Sequence, residues 1–258
     1  MIIGGLEKLT LIDYPGHLAA IVFTQGCNFR CRFCYNPMLV LPVVSGKNCD
    51  ISPGKEREDD DFSSSHREKK GQPPISEDGL FDFLKKRKGK LEGIVLTGGE
   101  PTLYADLPEF IKKIREFDFS IKLDTNGTNP DMLRFLINKK LIDYIAMDLK
   151  SDQDGYPKAV GVDVDFDLIK ESIDIIINSG LPHEFRTTCV PGFHTREVLA
   201  NMGQYIKGAD KWYLQRFKSD TLLLDPSLEG KSCFSDEQMD EFARIGQDKM
   251  GSCQVRGA

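Results

Sequence analysis

A chain of 258 residues can be a single domain, since α/β barrels reach that size undivided. With 40% apolar and 29% charged residues it has an ordinary globular makeup, and no apolar run approaches the ~20 residues that span a bilayer. A net charge of −6 offers nothing to a phosphate backbone, and the N-terminus lacks the pattern of a secretory signal. Neither nucleic acid nor a membrane is an expected partner, and the cytoplasm is the expected compartment.

The first predicted strand, Leu18 to Thr24, runs straight into Cys27-Asn28-Phe29-Arg30-Cys31-Arg32-Phe33-Cys34. Its C-x3-C-x2-C spacing gathers three thiolates, soft ligands suited to zinc or to iron-sulfur clusters. A structural zinc site closes its shell with a fourth protein ligand, and none sits nearby at matching spacing. Three cysteines on a cubane cluster instead leave one iron open to a small molecule. Seven cysteines without a regular framework also argue against a disulfide scaffold. From about Pro42 to Pro74 the composition turns almost wholly polar, which predicts a flexible surface insertion without chemistry of its own. Cys49 and His66 fall within it.

Beyond the insertion, helices and strands alternate. Ser76 is expected to cap a helix bearing Leu80, Phe81 and Leu84, whose basic end, Lys85 to Lys90, reads as solvated. Gly93 to Leu96 is a strand; Leu107 to Phe117 is a helix with Phe110, Ile111, Ile114 and Phe117 on one stripe; Ser120 to Asp124 is the next strand. Asn129 caps a helix with Pro130 at its first position. Strands at Tyr144 to Leu149, Glu184 to Cys189 and Lys211 to Gln215 are interleaved with helices at Phe166 to Asn178 and Thr195 to Ile206. A last helix, Ser235 to about Ile245, carries capping-box spacing with Gln238. The result is six strands in a parallel sheet, and the periodicity suits an open barrel and a doubly wound sheet equally.

In such folds ligands bind at the carboxyl ends of the strands, and the chemically suggestive residues fall there. Gly98 and Gly99 would let backbone approach a ligand, with Glu100 accepting from an ammonium group; a tight turn would read the same. Asp124, Asn126, Asp148 and Lys150 suit a carboxylate and hydroxyls, a cation, or simply one another. Arg186 either bridges a carboxylate or completes that network. His17, His183 and His194 lack ligand spacing, with His194 the one to watch. Cys189 reads as a buried strand residue, and Cys233 and Cys253 as surface thiols.

The cysteine triplet, together with Thr97 to Pro101 (TGGEP), Leu123 to Gly127 (LDTNG) and Asp148 to Lys150 (DLK), resembles the radical S-adenosylmethionine superfamily and, within it, the glycyl-radical-enzyme activases. The opening GLEKLTLIDYPGHLAAIVFTQGCNFRCRFCYNP, Phe185 to Gly192 and Trp212 to Phe217 resemble the activating proteins of anaerobic ribonucleoside-triphosphate reductases. The likeness runs along nearly the whole chain except residues 42–74. It implies one α/β domain over residues 1–258, a partial open (β/α)6 barrel of the radical SAM type. Cys27, Cys31 and Cys34 would hold a 4Fe-4S cluster; Gly98, Gly99 and Glu100 would receive the amino group of S-adenosylmethionine; Phe33 would pack beside its adenine. Asp124, Asn126, Asp148, Lys150 and Arg186 would complete the cofactor site, and the resemblance also offers Asp124 and Asp148 to a monovalent cation. The implied partner is a glycyl radical enzyme, anaerobic ribonucleotide reductase, with an electron donor such as flavodoxin or ferredoxin. Two other readings stay open: a radical enzyme acting on a small molecule, like the carboxy-deazaguanine synthases, and a zinc or electron-transfer protein without a reaction of its own.

Overall fold

The computed structural model describes residues 1–40 and 75–257, so the insertion at 42–74, with Cys49 and His66, lies outside the described residues. Eight strands form one sheet: β1 (Ile3–Thr10), β2 (Ala19–Thr24), β3 (Gly93–Gly98), β4 (Ser120–Thr125), β5 (Tyr144–Asp148), β6 (His183–Cys189), β7 (Trp212–Arg216) and β8 (Cys253–Arg256). Every strand pairs with its neighbours in sequence, β1 antiparallel to β2 and the rest parallel. A doubly wound sheet reverses its strand order at an internal switch point. The unbroken order is that of a barrel, left open between the edges β1 and β8.

The six expected strands are β2 to β7; β1 and β8 add one at each edge. The helices are α1 (Pro37–Val40), α2 (Glu77–Arg87), α3 (Leu107–Arg115), α4 (Pro130–Asn138), α5 (Tyr156–Val160), α6 (Phe166–Ile177), α7 (Arg196–Tyr205) and α8 (Asp236–Met250). Their starts follow from local chemistry. Ser76 accepts from the Gly79 amide, Asn129 from Met132, and Ser235 and Gln238 form the reciprocal capping box that opens α8. That helix runs to Met250, past the expected end near Ile245.

Alternation along the strands divides the core. Ala20, Val22, Ile94, Leu96, Ile121, Leu123, Ile145 and Met147 point outward into the helices, forming the main core with Leu107, Ile111, Leu133 and Ile169. Their alternates point into the barrel. There Tyr14, Ala19, Ile21, Val95 and Tyr144 make a small apolar floor, and above it the lining turns polar.

Candidate active site

The chain leaves β2 through Gly26, whose φ of +89° favours glycine, and enters the cysteine loop. That loop is fixed from several sides. The Gly26 amide donates to Leu39 (2.6 Å), the Arg30 amide to Val160 (2.7 Å), and the Asp225 amide to Arg32 (2.9 Å). Phe29 and Phe33 anchor it by burial. Burial pushes the Cys27 thiol up to about 12 and the Cys31 thiol up to about 11, and raises Cys34 as well.

Next to it lies the glycine turn after β3. A Cβ on Gly99 would sit 1.9 Å from the Gly26 carbonyl oxygen, and one on Gly98 2.3 Å from the Thr24 amide nitrogen. The Gly99 amide donates to Thr24 (2.9 Å) and the Glu100 amide to Gly26 (2.8 Å). Glycine is thus required by close approach of two backbones, not merely by a turn. Glu100, 1% exposed, braces this turn against the loop after β4. Its Oε1 accepts from the Thr102 amide (3.1 Å), Thr102 Oγ1 (2.6 Å) and Thr125 Oγ1 (2.8 Å), and its Oε2 from the Asn126 amide (2.6 Å). Burial raises its pKa above the ordinary carboxylate value and these bonds oppose the rise. With one bond on Oε2, a lone pair there remains for a ligand.

The opposite wall is a charged chain. Arg186 donates to Asp124 Oδ2 (2.9 Å) and Asp148 Oδ1 (2.8 Å); Lys150 pairs with Asp148 (3.0 Å) and Lys122 with Asp124 (2.6 Å). Glu184, fully buried below, lies 4.0 Å from Lys122 and 3.3 Å from Arg256, and accepts from the Tyr144 hydroxyl. Three carboxylates therefore meet four cations. Burial alone would push both aspartates up, but the Arg186 guanidinium, with Lys122 or Lys150, holds each well below the usual carboxylate range. The monovalent cation expected at Asp124 and Asp148 meets a different arrangement: the charge it would neutralise is already balanced by side chains. Among the described residues no group of three His, Cys, Asp or Glu is placed to hold a single metal ion.

All twelve residues singled out from sequence, Cys27, Cys31, Phe33, Cys34, Gly98, Gly99, Glu100, Asp124, Asn126, Asp148, Lys150 and Arg186, line one cavity of about 830 Å³. Ile21, Phe23 and Val95 form its apolar side, and it extends to Gln215, Arg256 and Gly257 by the open edge. Sequence reading missed several residues. Asn28 accepts from Asn126 (2.8 Å) and donates to Thr128 (2.9 Å), tying the cysteine loop to the loop after β4. Lys122 and Glu184 share strand faces with Asp124 and Arg186 at a spacing of two, and pair with the same charged network. His194 is structural: Nδ1 accepts from the Val190 amide (3.0 Å) and Nε2 meets the Lys150 carbonyl (2.9 Å), fixing the backbone beneath Lys150. Cys189 is buried as expected, whereas Cys253 is buried against Gly246 of α8 rather than on the surface, and Cys233 is exposed. Two hydroxyls in the segment after β5, Ser151 and Tyr156, are buried without a hydrogen-bond partner.

The family model for the radical SAM superfamily matches residues 21–202. A Methanocaldococcus jannaschii protein named as a glycyl-radical enzyme activating enzyme is 31% identical over 222 residues, covering 84% of this chain and 80% of that protein. The pyruvate formate-lyase-activating enzyme of Clostridium pasteurianum is 24% identical over 217 residues, covering 81% and 79%. Among solved structures, QueE from Escherichia coli covers 100% of this chain and 94% of its own at a TM-score of 0.52 and 15% identity, a likeness of fold alone. The match to the family model across most of the barrel shows that this chain belongs to the radical SAM superfamily, enzymes built on a 4Fe-4S cluster and S-adenosylmethionine, and it groups with their glycyl-radical-enzyme activating members.

Proposed function

We propose that this protein installs a glycyl radical on a partner enzyme, anaerobic ribonucleoside-triphosphate reductase, drawing its electron from a flavodoxin or ferredoxin. The observation that carries the reading is one cavity whose lining runs from three cysteines in the loop after β2 to Arg256, the last residue of the edge strand β8, and Gly257 just beyond it. Cofactor residues lie at one end and an open flank of the barrel at the other, which suits a polypeptide substrate entering from the side. Relatives named as activating enzymes match along most of both chains, which supports the same reading.

The residues present fit the cofactors. Three thiols on one wall leave a fourth cluster position open, and a cavity of this volume lies within the range of cofactor sites. Cys27, Cys31 and Cys34 hold the cluster. The Gly98-Gly99 backbone and Glu100 Oε2 receive the ammonium group of S-adenosylmethionine; Lys150 and Arg186, fixed by their aspartates, present positive charge to its carboxylate; Asn126 contributes an amide; and Phe33 packs beside the adenine. When bound, the cofactors would supply one-electron reductive cleavage of the sulfonium and, through it, the hydrogen-atom abstraction from the partner's glycine. Glycine suits this because, lacking a Cβ, it lets the backbone approach closely.

The test is anaerobic incubation of the reduced, iron-loaded protein with S-adenosylmethionine and the anaerobic reductase, followed by electron paramagnetic resonance. The expected result is a glycyl radical signal that a reductase with its target glycine changed to alanine does not give. A small molecule consumed stoichiometrically with S-adenosylmethionine, with no signal on any reductase offered, would overturn the reading.

A further inference from the structure

Arg30 stands immediately before Cys31, and its side chain does not leave the cysteine loop. One guanidinium nitrogen, Nη1, donates to two carbonyls of that loop, Cys27 at 2.7 Å and Phe29 at 2.8 Å. The backbone of the residue is pinned as well. Its amide donates to the Val160 carbonyl (2.7 Å), and a Cβ on Gly161, just after α5, would lie 2.5 Å from its carbonyl oxygen. Within the same turn the Phe29 amide donates to Cys27 Sγ (3.4 Å). The turn from Cys27 to Phe29 therefore has two carbonyls gathered on a cation and an amide set on a sulfur.

The other arginines of the cysteine loop and the cavity meet carboxylates: Arg32 pairs with Asp225, Arg186 with Asp124 and Asp148, Arg216 with Asp236, and Arg256 with Glu184. Arg30 differs. Among the described residues no carboxylate lies within ion-pair reach of it, and its hydrogen bonds go to neutral carbonyls. A half-buried cation in that state acts on whatever charge develops beside it. One of the two residues it grips, Cys27, is a proposed ligand of the cluster.

We propose that Arg30 is a positioning residue for the iron-sulfur centre: its guanidinium, held by the Cys27 and Phe29 carbonyls, raises the reduction potential of the cluster through its positive charge. Reduction adds one negative charge to a cluster, so a fixed cation against a ligand residue favours the reduced form. The Phe29 amide on Cys27 Sγ acts in the same direction, and the guanidinium braces the turn that keeps it there. The inference rests on the assignment of the cluster to Cys27, Cys31 and Cys34, and is independent of which partner receives the radical.

The experiment is a redox titration of the anaerobically reconstituted protein as wild type, Arg30→Gln, Arg30→Met and Arg30→Lys, with the reduced cluster followed by electron paramagnetic resonance and iron measured in each. The expected result is a midpoint lower by about 59 mV in both neutral variants, the one-electron equivalent of a tenfold shift, and less than half that change in Arg30→Lys. A brace without an electrostatic role would not order the midpoints by charge. Iron lost from both neutral variants but kept by Arg30→Lys also supports the inference, since a cation favours the thiolates that hold the iron. An unchanged midpoint in a loaded neutral variant, or a lysine variant that shifts as far or loses iron with the others, overturns the inference while leaving the cluster assignment standing. A wild-type protein that takes up no iron overturns both.

Discussion

Around the cavity, the wall supplied by β2 and β3 consists of thiols, glycines and close-packed backbone, whereas the wall supplied by β4, β5 and β6 consists of paired charges. The first is held by backbone hydrogen bonds between Thr24, Gly26, Gly99 and Glu100, with no room for an added carbon atom. The second is held by Arg186 between two aspartates, with Lys122 and Lys150 at its ends. One wall is specified by shape and the other by charge balance, so they should fail under different insults: the first under added volume, the second under lost charge or lowered pH.

The largest effect is expected on the first wall. Alanine at Cys27, Cys31 or Cys34 should each abolish iron binding, measured as iron per chain after reconstitution. Alanine at Cys189, Cys233 or Cys253 should keep it, since none of these lines the cavity. Loss of iron in any of the latter three would remove the distinction between the triplet and the rest.

On the charged wall, Arg186→Met should cost roughly 3–5 kcal/mol in denaturant unfolding, because two buried carboxylates lose their shared partner. The acid response gives an independent check. Asp124 and Asp148 have folded-state values held below their unfolded values of about 4, so they contribute stability that is fully present above that pH and lost as pH falls through it into the acid range. Arg186→Met should flatten this acid limb. An unchanged limb would show that the pairing does not set it.

Gly99→Ala should cost about 1–3 kcal/mol or more with no change in the acid limb, since its Cβ meets backbone that cannot move aside. An acid limb altered here but intact in Arg186→Met would reverse the comparison. The smallest effect belongs to Glu100→Gln, at the seam of the two walls. It loses the charge offered to S-adenosylmethionine, and its new NH2 group must face either the Asn126 amide or the donors around Oε1. Binding by calorimetry should weaken by about tenfold or somewhat less, with iron content unchanged. Unchanged binding would leave Glu100 as a brace alone.

How far the two walls could be read from sequence also differs. The cysteine spacing and the paired glycines stand out because few other residue types could replace them. Asp124, Asn126, Asp148, Lys150 and Arg186 drew attention by position at strand ends, but their mutual pairing is a product of barrel closure, which brings three separate strands face to face. Lys122 and Glu184 were passed over because a charged residue in a strand usually faces solvent, and only the barrel turns that face inward. At the edges, β1 contains Gly4-Gly5 and an exposed stretch from Glu7 to Leu9, and β8 has four residues, too few for a period to register. Tyr156 lay in a five-residue helix with no signature of its own, and its packing against Phe29 of the cysteine loop joins positions more than a hundred residues apart in sequence.

The glycine contact between the two loops carries a mechanical meaning. Because the turn after β3 is bonded at Gly99 and Glu100 to Thr24 and Gly26, and touches the Gly26 carbonyl without intervening side chains, it cannot shift without carrying the start of the cysteine loop along. The residues proposed to hold the cluster and those proposed to receive the sulfonium ligand are therefore tied to one another through backbone. The edges β1 and β8 carry no such tie between them among the described residues, so under the proposed function the separation of the two loops is the more constrained dimension of the site.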